Sequence, residues 1–344
     1  MRDRCRPCRA VLKKLHVDGF ILAILAAVVV ASVLPARGVF ADIMSWVVVA
    51  AIALLFFLYG ARMHPREALE GLTHWRLHLT ILAFTFVLFP IIGVALRPLA
   101  SPVLGDDLAL GVVFLCLLPS TVQSSIAFTS IARGNVAGAI VSASASNLIG
   151  VILTPLLVVA LLSGGSGVHI DASAILQIVL QILVPFVVGQ LARPLVGGFL
   201  TRHAGPTKLV DRGSIVLVVY VAFSEGVREH IWSIVRWWQI LVVIGGSVVL
   251  VAVMLFLTGW VARRFHFGRA DAVAIQFCGT KKSLATGLPM AAVLFANQQI
   301  GLIVLPLLVF HQIQLMMCAW YAARLSRENP AISSADDSLG ASPR

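Results

Sequence analysis

Apolar residues dominate this chain in long unbroken runs, and the polar positions fall between the runs instead of alternating with them. In order, the runs are Phe20–Leu34, Ile43–Tyr59, Leu77–Leu96, Leu108–Ile131, Val136–Leu162, Ile175–Leu191, Ser214–Val227, Ile240–Val261, Ala270–Ala296 and Ile300–Leu325. A helix needs about 20 apolar residues to cross a hydrocarbon core of roughly 30 Å. Inside that core the backbone must satisfy its own hydrogen bonds, which a helix does within one segment. The pattern therefore predicts an all-α polytopic membrane protein with ten transmembrane helices, tilted or broken where a run is short or long. Residues 1–16 read as a basic tail, 17–325 as a single ten-helix domain, and 326–344 as a small, polar, disordered tail. The first run could serve as a signal peptide cleaved after Val39-Phe40-Ala41, but the count of runs favours an uncleaved span.

The polar residues inside the runs are few, and two of them are extreme. Ile275–Pro289 reads Ile-Gln-Phe-Cys-Gly-Thr-Lys-Lys-Ser-Leu-Ala-Thr-Gly-Leu-Pro, with apolar sequence on both sides. A basic residue at the centre of a spanning helix costs roughly 2.5–3.5 kcal/mol on insertion scales. Lys281 and Lys282 are tolerable there only if they face water, a partner or a ligand. Gly279, Gly287 and Pro289 around them predict an interrupted helix, the usual form of a transporter site.

Charge adds an orientation. Hydrophobic residues make up 59% of the chain and charged ones 12%, about half the charged share of a soluble domain. The net charge of +11 would suit nucleic acid, but its distribution argues against that. Twenty basic residues fall in alternate loops and tails, four on the other side, and the remaining two are Lys281 and Lys282. This bias predicts both termini in the cytoplasm. Cys5 and Cys8 lack a second pair to complete a zinc site, Cys116, Cys278 and Cys318 lie in apolar runs, and no metal is expected. Trp232, Trp237 and Trp238 read as an interfacial belt.

Ten spans divide into halves of five, about residues 17–162 and 172–325, which must insert in opposite orientations. The fourth span of each half then corresponds. One carries Pro119-Ser-Thr-Val-Gln-Ser-Ser125, the other Gly279-Thr-Lys-Lys-Ser283. In both, about ten residues precede the break, a rise of roughly 15 Å that reaches mid-membrane.

These two motifs, together with Gly134-Asn-Val-Ala137 and Leu153-Thr-Pro-Leu156, carry a resemblance to a known family. Over roughly residues 17–325 the chain resembles the bile acid:sodium symporter family (solute carrier family 10), in the branch that includes its member 7 and related bacterial proteins. The resemblance implies two inverted five-helix repeats with broken crossing helices 4 and 9. It also implies a core of spans 3–5 and 8–10 and a panel of spans 1, 2, 6 and 7, set in the plasma membrane, as a bacterial inner-membrane protein. Sodium-coupled members place Glu and then Gln-Asn in span 9. Here Cys278 stands near the first position, Lys282-Ser283 replace the others, and span 5 offers Ala139 and Ala143 where hydroxyls are expected. A lysine offers only donors, so a fixed ammonium is expected to replace at least one sodium ion.

No carboxylate lies deep in any run, so the lysines lack an obvious counter-ion; the nearest acids, Glu225, Glu229 and Asp271, sit at span ends. A half-helix restarting near Ser283 would add its positive end to their charge. The expected substrate is a small anionic solute, held by Lys281, Lys282, Ser283, Thr280, Gly279 and Gln276 from one break. Ser120, Thr121, Gln123, Ser124 and Ser125 would serve from the other. The ammonium groups could also exchange protons in a transport cycle, or simply cap carbonyls and hold the fold. His311 and Gln312 are secondary candidates, and Asn147, Gln177 and Gln181 read chiefly as interhelical hydrogen-bond formers.

The functional expectation is a secondary active transporter working by alternating access, proton-coupled or sodium-independent, with no cofactor and no enzymatic activity. The alternatives are a sodium-coupled symporter true to the family name, and a regulatory membrane protein of cation homeostasis that moves no solute. No phosphate-binding loop suggests an ATP-driven pump.

Overall fold

The computed structural model describes residues 19–62, 74–162, 179–228, 235–296 and 298–328. The expectations for the basic tail with Cys5 and Cys8, for Gln177, Glu229 and Trp232, and for Pro330–Arg344 lie outside these residues. Among the described residues the chain is all helical. In order the helices are α1 (Gly19–Val33), α2 (Val39–Arg62), α3 (Trp75–Leu104), α4 (Asp106–Leu117), α5 (Gln123–Ile131) and α6 (Val136–Leu162). There follow α7 (Val179–Arg202), α8 (Ala204–Arg228), α9 (Trp237–Arg264), α10 (Arg269–Thr280), α11 (Leu284–Leu294) and α12 (Ile300–Arg327).

Among the described residues six helices, α2, α3, α6, α7, α9 and α12, are long and apolar enough to cross a membrane unaided. The other apolar runs fall short of that standard for visible reasons. The described part of α1 is 15 residues long, α8 carries Lys208, Asp211 and Arg212 in its first half, and two runs are interrupted as α4/α5 and α10/α11.

Helix ends follow local chemistry. Gly105, at φ +83°, turns the chain between α3 and α4, and Asp106 and Asp107 then sit in the first turn of α4, where negative charge suits the helix dipole. Arg133 takes a positive φ of 54° at the end of α5, and Gly134 N–H closes the turn on Thr129 O at 2.8 Å. Inside α3, residues Phe84–Leu88 form a π-helical turn ahead of Pro90.

The helices fall into two compact units. The first holds α1, α2, α7 and α8. Within it Gly60 of α2 and Gly189 of α7 let two backbones touch: a Cβ on Gly60 would collide with Phe186 O, and one on Gly189 with Phe57 O. Small residues at such crossings are how lipid-embedded helices pack. Tyr220 OH donates to Leu34 O (3.0 Å), and Arg62 pairs with Asp211 at 2.5 Å. Burial raises the Asp211 pKa, and the Arg62 guanidinium partly opposes that shift. The second unit holds α3 to α6 and α9 to α12, and contains both interrupted helices.

Candidate functional site

Two helices stop inside the second unit and restart after a few extended residues. α4 ends at Leu117, the chain runs extended from Leu118, and α5 begins at Gln123. α10 ends at Thr280, Lys281 is extended (φ −96°, ψ 152°), and α11 begins at Leu284. The half-helices leading into the breaks, α4 and α10, are each 12 residues long, about 18 Å at 1.5 Å per residue. The breaks meet: Ser283 N–H donates to Pro119 O at 2.8 Å.

Each break exposes backbone carbonyls that a dry interior will not tolerate unpaired. Side chains take them up. At the end of α4, Leu117 O accepts from Thr154 (2.9 Å) and Ser120 O from Asn147 (2.6 Å). At the end of α10, Cys278 O accepts from Ser120 Oγ (2.6 Å) and Phe277 O from Ser125 Oγ (3.2 Å). Ser146 Oγ accepts from Ser120 N–H (3.1 Å). Gln314 clamps the Lys282 peptide from both sides, accepting from its N–H at 2.9 Å and donating to its carbonyl at 2.8 Å. Ser283 caps α11, and Thr286 reaches from α11 to Asn147 Oδ1 at 2.9 Å.

The two lysines are fully buried and lead in different directions. Lys282 Nζ donates to Thr85 O (2.9 Å), Cys116 O (2.9 Å) and Leu118 O (2.7 Å), which uses all three of its hydrogens. Thr85 O needs such a donor for a local reason. Phe89 N–H donates five residues back to Phe84 O, and the next nitrogen, that of Pro90, carries no hydrogen. The ammonium thus ties the π-turn of α3 to the loose end of α4, with the Phe89 ring 4.1 Å from Nζ. Lys281 is the opposite case. Its Nζ has no hydrogen-bond partner and lies 3.8 Å from the Phe128 ring centre and 5.6 Å from that of Phe277. These rings offer the electron-rich faces that attract a cation. Tyr321 extends the aromatic wall beside Phe277, and Thr129 Oγ1 on α5 is also buried without a partner.

The remaining sequence candidates divide. Thr121 bonds Ser124 (2.8 Å) and Ser125 (3.0 Å) at the start of α5. Thr280 faces Thr258 at 3.5 Å, and Gly279 packs against Thr258 and Phe84. Gln276 donates to Tyr321 OH at 2.9 Å. Gln123 is exposed at the head of α5, away from these contacts. His311 Nδ1 lies 2.9 Å from Gln314 Nε2, one link removed from Lys282, and Gln312 Oε1 is buried and unpartnered. The expected joint cluster around two lysines therefore becomes two environments: a saturated ammonium at α3/α4 and an unbonded one against Phe128 and Phe277. Sequence reasoning gave Thr154 and Phe128 no role, noted Gln314 only as a polar neighbour of His311 in an apolar span, and read Ser146 as a small residue for close helix packing.

Comparison with known proteins now gives this architecture relatives. Residues 18–327 match the model of the SBF-like CPA transporter family. The chain is 51% identical to uncharacterized protein PA2026 of Pseudomonas aeruginosa, over 90% of this chain and 93% of that one. It is 46% identical to "Putative symporter YfeH" of Escherichia coli K12, over 93% and 96% of the two chains. It is 29% identical to sodium/bile acid cotransporter 7 of Rattus norvegicus, over 89% and 92%. The chain is a multi-pass membrane transporter, not an enzyme, and belongs to the SBF-like CPA transporter family.

Proposed function

We propose that the protein is a secondary transporter that carries a small anionic solute by alternating access without sodium as the coupling ion. Lys281 is its anion-binding and coupling residue, and Lys282 is a built-in structural cation. The observation that carries the reading is the Lys281 amine, fully buried at the junction of two interrupted helices with no hydrogen-bond partner. An ammonium held in a dry place is costly unless a counter-charge arrives, and an anion entering at the break would supply it. Lys282 supports the sodium-free part. The oxygens of Thr85, Cys116 and Leu118 converge as they would on a small cation, and the lysine ammonium occupies that place at 2.7–2.9 Å.

The architecture is read as ten spans in two inverted repeats with both termini cytoplasmic. Equal 12-residue half-helices before the two breaks fit the repeat, and the arginine-rich loops fit the orientation. The first compact unit is the panel and the second the core, which matches spans 1, 2, 6 and 7 against 3–5 and 8–10. Lys281 is fully buried in the described conformation, so access requires the Phe128 ring, 3.8 Å from its amine, to move aside. Proton exchange on Lys281 would couple a charge-compensated cycle to the proton gradient.

The test is uptake into proteoliposomes of a panel of labelled carboxylates and sulfates, taurocholate among them. It is run with sodium or choline outside and with or without a pH gradient. Uptake of an anion that survives replacement of sodium by choline is the expected result. Uptake only in sodium, or transport restricted to neutral solutes, overturns the proposal.

A further inference from the structure

One end of the second unit gathers arginines from four helices. The α3 start and the α9 end are joined there by Arg76 donating to Phe265 O (3.1 Å), with its guanidinium 5.4 Å from the Phe267 ring. The α10 start joins the α12 end through Arg269, which donates to Leu325 O at 3.1 Å. Arg263 and Arg264 end α9, and Arg324 and Arg327 lie in the last turn of α12. Two acids stand at this end among the described residues, and both are engaged: Asp271 accepts from Asn135 (2.7 Å) and Glu328 from Arg324 (2.9 Å).

Tryptophans mark the depth at which this charge sits. Trp320 is 65% exposed and Trp260 51% exposed, and each lies four residues, about one helical turn, before an arginine, Arg324 and Arg264. Exposed indoles of spanning helices settle at the headgroup level, so these guanidinium groups stand at the height of lipid phosphates. Along the last turns of α12, Trp320, Ala323, Arg324, Arg327 and Glu328 line a shallow, open recess of about 320 Å³ on one side of this helix. The Trp320 ring forms an apolar wall with the Arg324 guanidinium 6.0 Å from its centre.

From this geometry we infer that the recess is a binding site for an anionic phospholipid. Its phosphate is taken by Arg324 and Arg327, and its glycerol and first acyl carbons lie along Trp320. Guanidinium forks match phosphate oxygens, the indole supplies an amphipathic wall at the right depth, and a lipid alone combines both chemistries at this height. Glu328 competes for Arg324, so the site is tuned below its full strength. The inference is independent of Lys281 and of the transported solute.

Native mass spectrometry of the purified protein, titrated with phosphatidylglycerol, phosphatidylcholine or inorganic phosphate, tests it. Phosphatidylglycerol should bind in preference to phosphatidylcholine. Arg324→Ala/Arg327→Ala should weaken it roughly thirtyfold, from about 1 kcal/mol for each basic residue near the surface. Glu328→Gln should strengthen it, which separates lost charge from lost folding. Equal retention of phosphatidylglycerol by the double variant, equal binding of phosphatidylcholine, or saturation by inorganic phosphate at the same concentration overturns the lipid assignment.

Discussion

Replacing Lys282 by Met keeps much of the side-chain length and removes three donors. Thr85 O, Cys116 O and Leu118 O, now bonded at 2.9, 2.9 and 2.7 Å, would all lose their shared partner in a site with no solvent exposure. Hydrogen bonds involving a charged group contribute about 1.5–3 kcal/mol each, so the three together reach roughly 4.5–9 kcal/mol. Against this stands the desolvation of the ammonium, several kcal/mol in a protein interior, which the variant no longer bears. The net loss is set near the 3–5 kcal/mol typical of removing one partner from a buried charged arrangement. At roughly 2–4 °C per kcal/mol, the rate for domains of about 150–250 residues, the melting temperature in detergent should fall by roughly 6–20 °C. Lys281→Met is the internal control. It removes contacts with two rings, about 2 kcal/mol or less, together with a buried unpartnered amine, so its stability should stay within about 1 kcal/mol of the parent. Differential scanning fluorimetry on the three proteins decides. A Lys282→Met protein melting with the parent, or a Lys281→Met protein falling as far as Lys282→Met, refutes the division of roles between the lysines.

Other expectations follow from the same contacts. Lys282→Ala should regain part of its lost melting temperature in n-butylammonium chloride but none in tetramethylammonium chloride, which has no N–H to offer the three carbonyls. Gln314→Leu strips both hydrogen bonds from the buried Lys282 peptide and should cost about 2–4 kcal/mol, read as a lower melting temperature with no change in ion dependence. Gly111→Ala would press a methyl group into the backbone of Ile303 and should cost about 1–3 kcal/mol without touching either lysine. Asn147→Ala frees Ser120 O and Thr286 together, and should lower stability more than Thr286→Val, which frees only one end of that link.

Much of the architecture could be read from residue type alone. Ten apolar runs, Pro119 and the Gly279-to-Pro289 stretch placed the two interruptions within a few residues of where α4 and α10 end, because Pro and Gly act on the backbone locally. The partners of the lysines were invisible for a physical reason. Lys282 is held by carbonyl oxygens, which every residue carries, and their availability depends on a π-turn and on Pro90 lying across from it. That turn leaves no mark in an apolar helix except the proline itself. Gln314 was visible as a polar residue in a span, but its target is a peptide bond 32 positions away. Ser120 and Ser125 were picked out as substrate contacts on their hydroxyls; in the structure those hydroxyls satisfy Cys278 O and Phe277 O. Phe128 was hidden by its ordinariness, since one phenylalanine in a span looks like any other until a lysine lies over its face.

Sodium-free uptake by the Lys281→Met protein, measured beside its melting temperature, bears on the central claim most directly. The account predicts a protein as stable as the parent whose anion uptake in choline medium has dropped by roughly tenfold or more, the loss expected when a charged contact of about 1.5–3 kcal/mol is removed. A stable Lys281→Met protein that carries the anion at the parental rate, or a parent that carries it only when sodium is present, contradicts it.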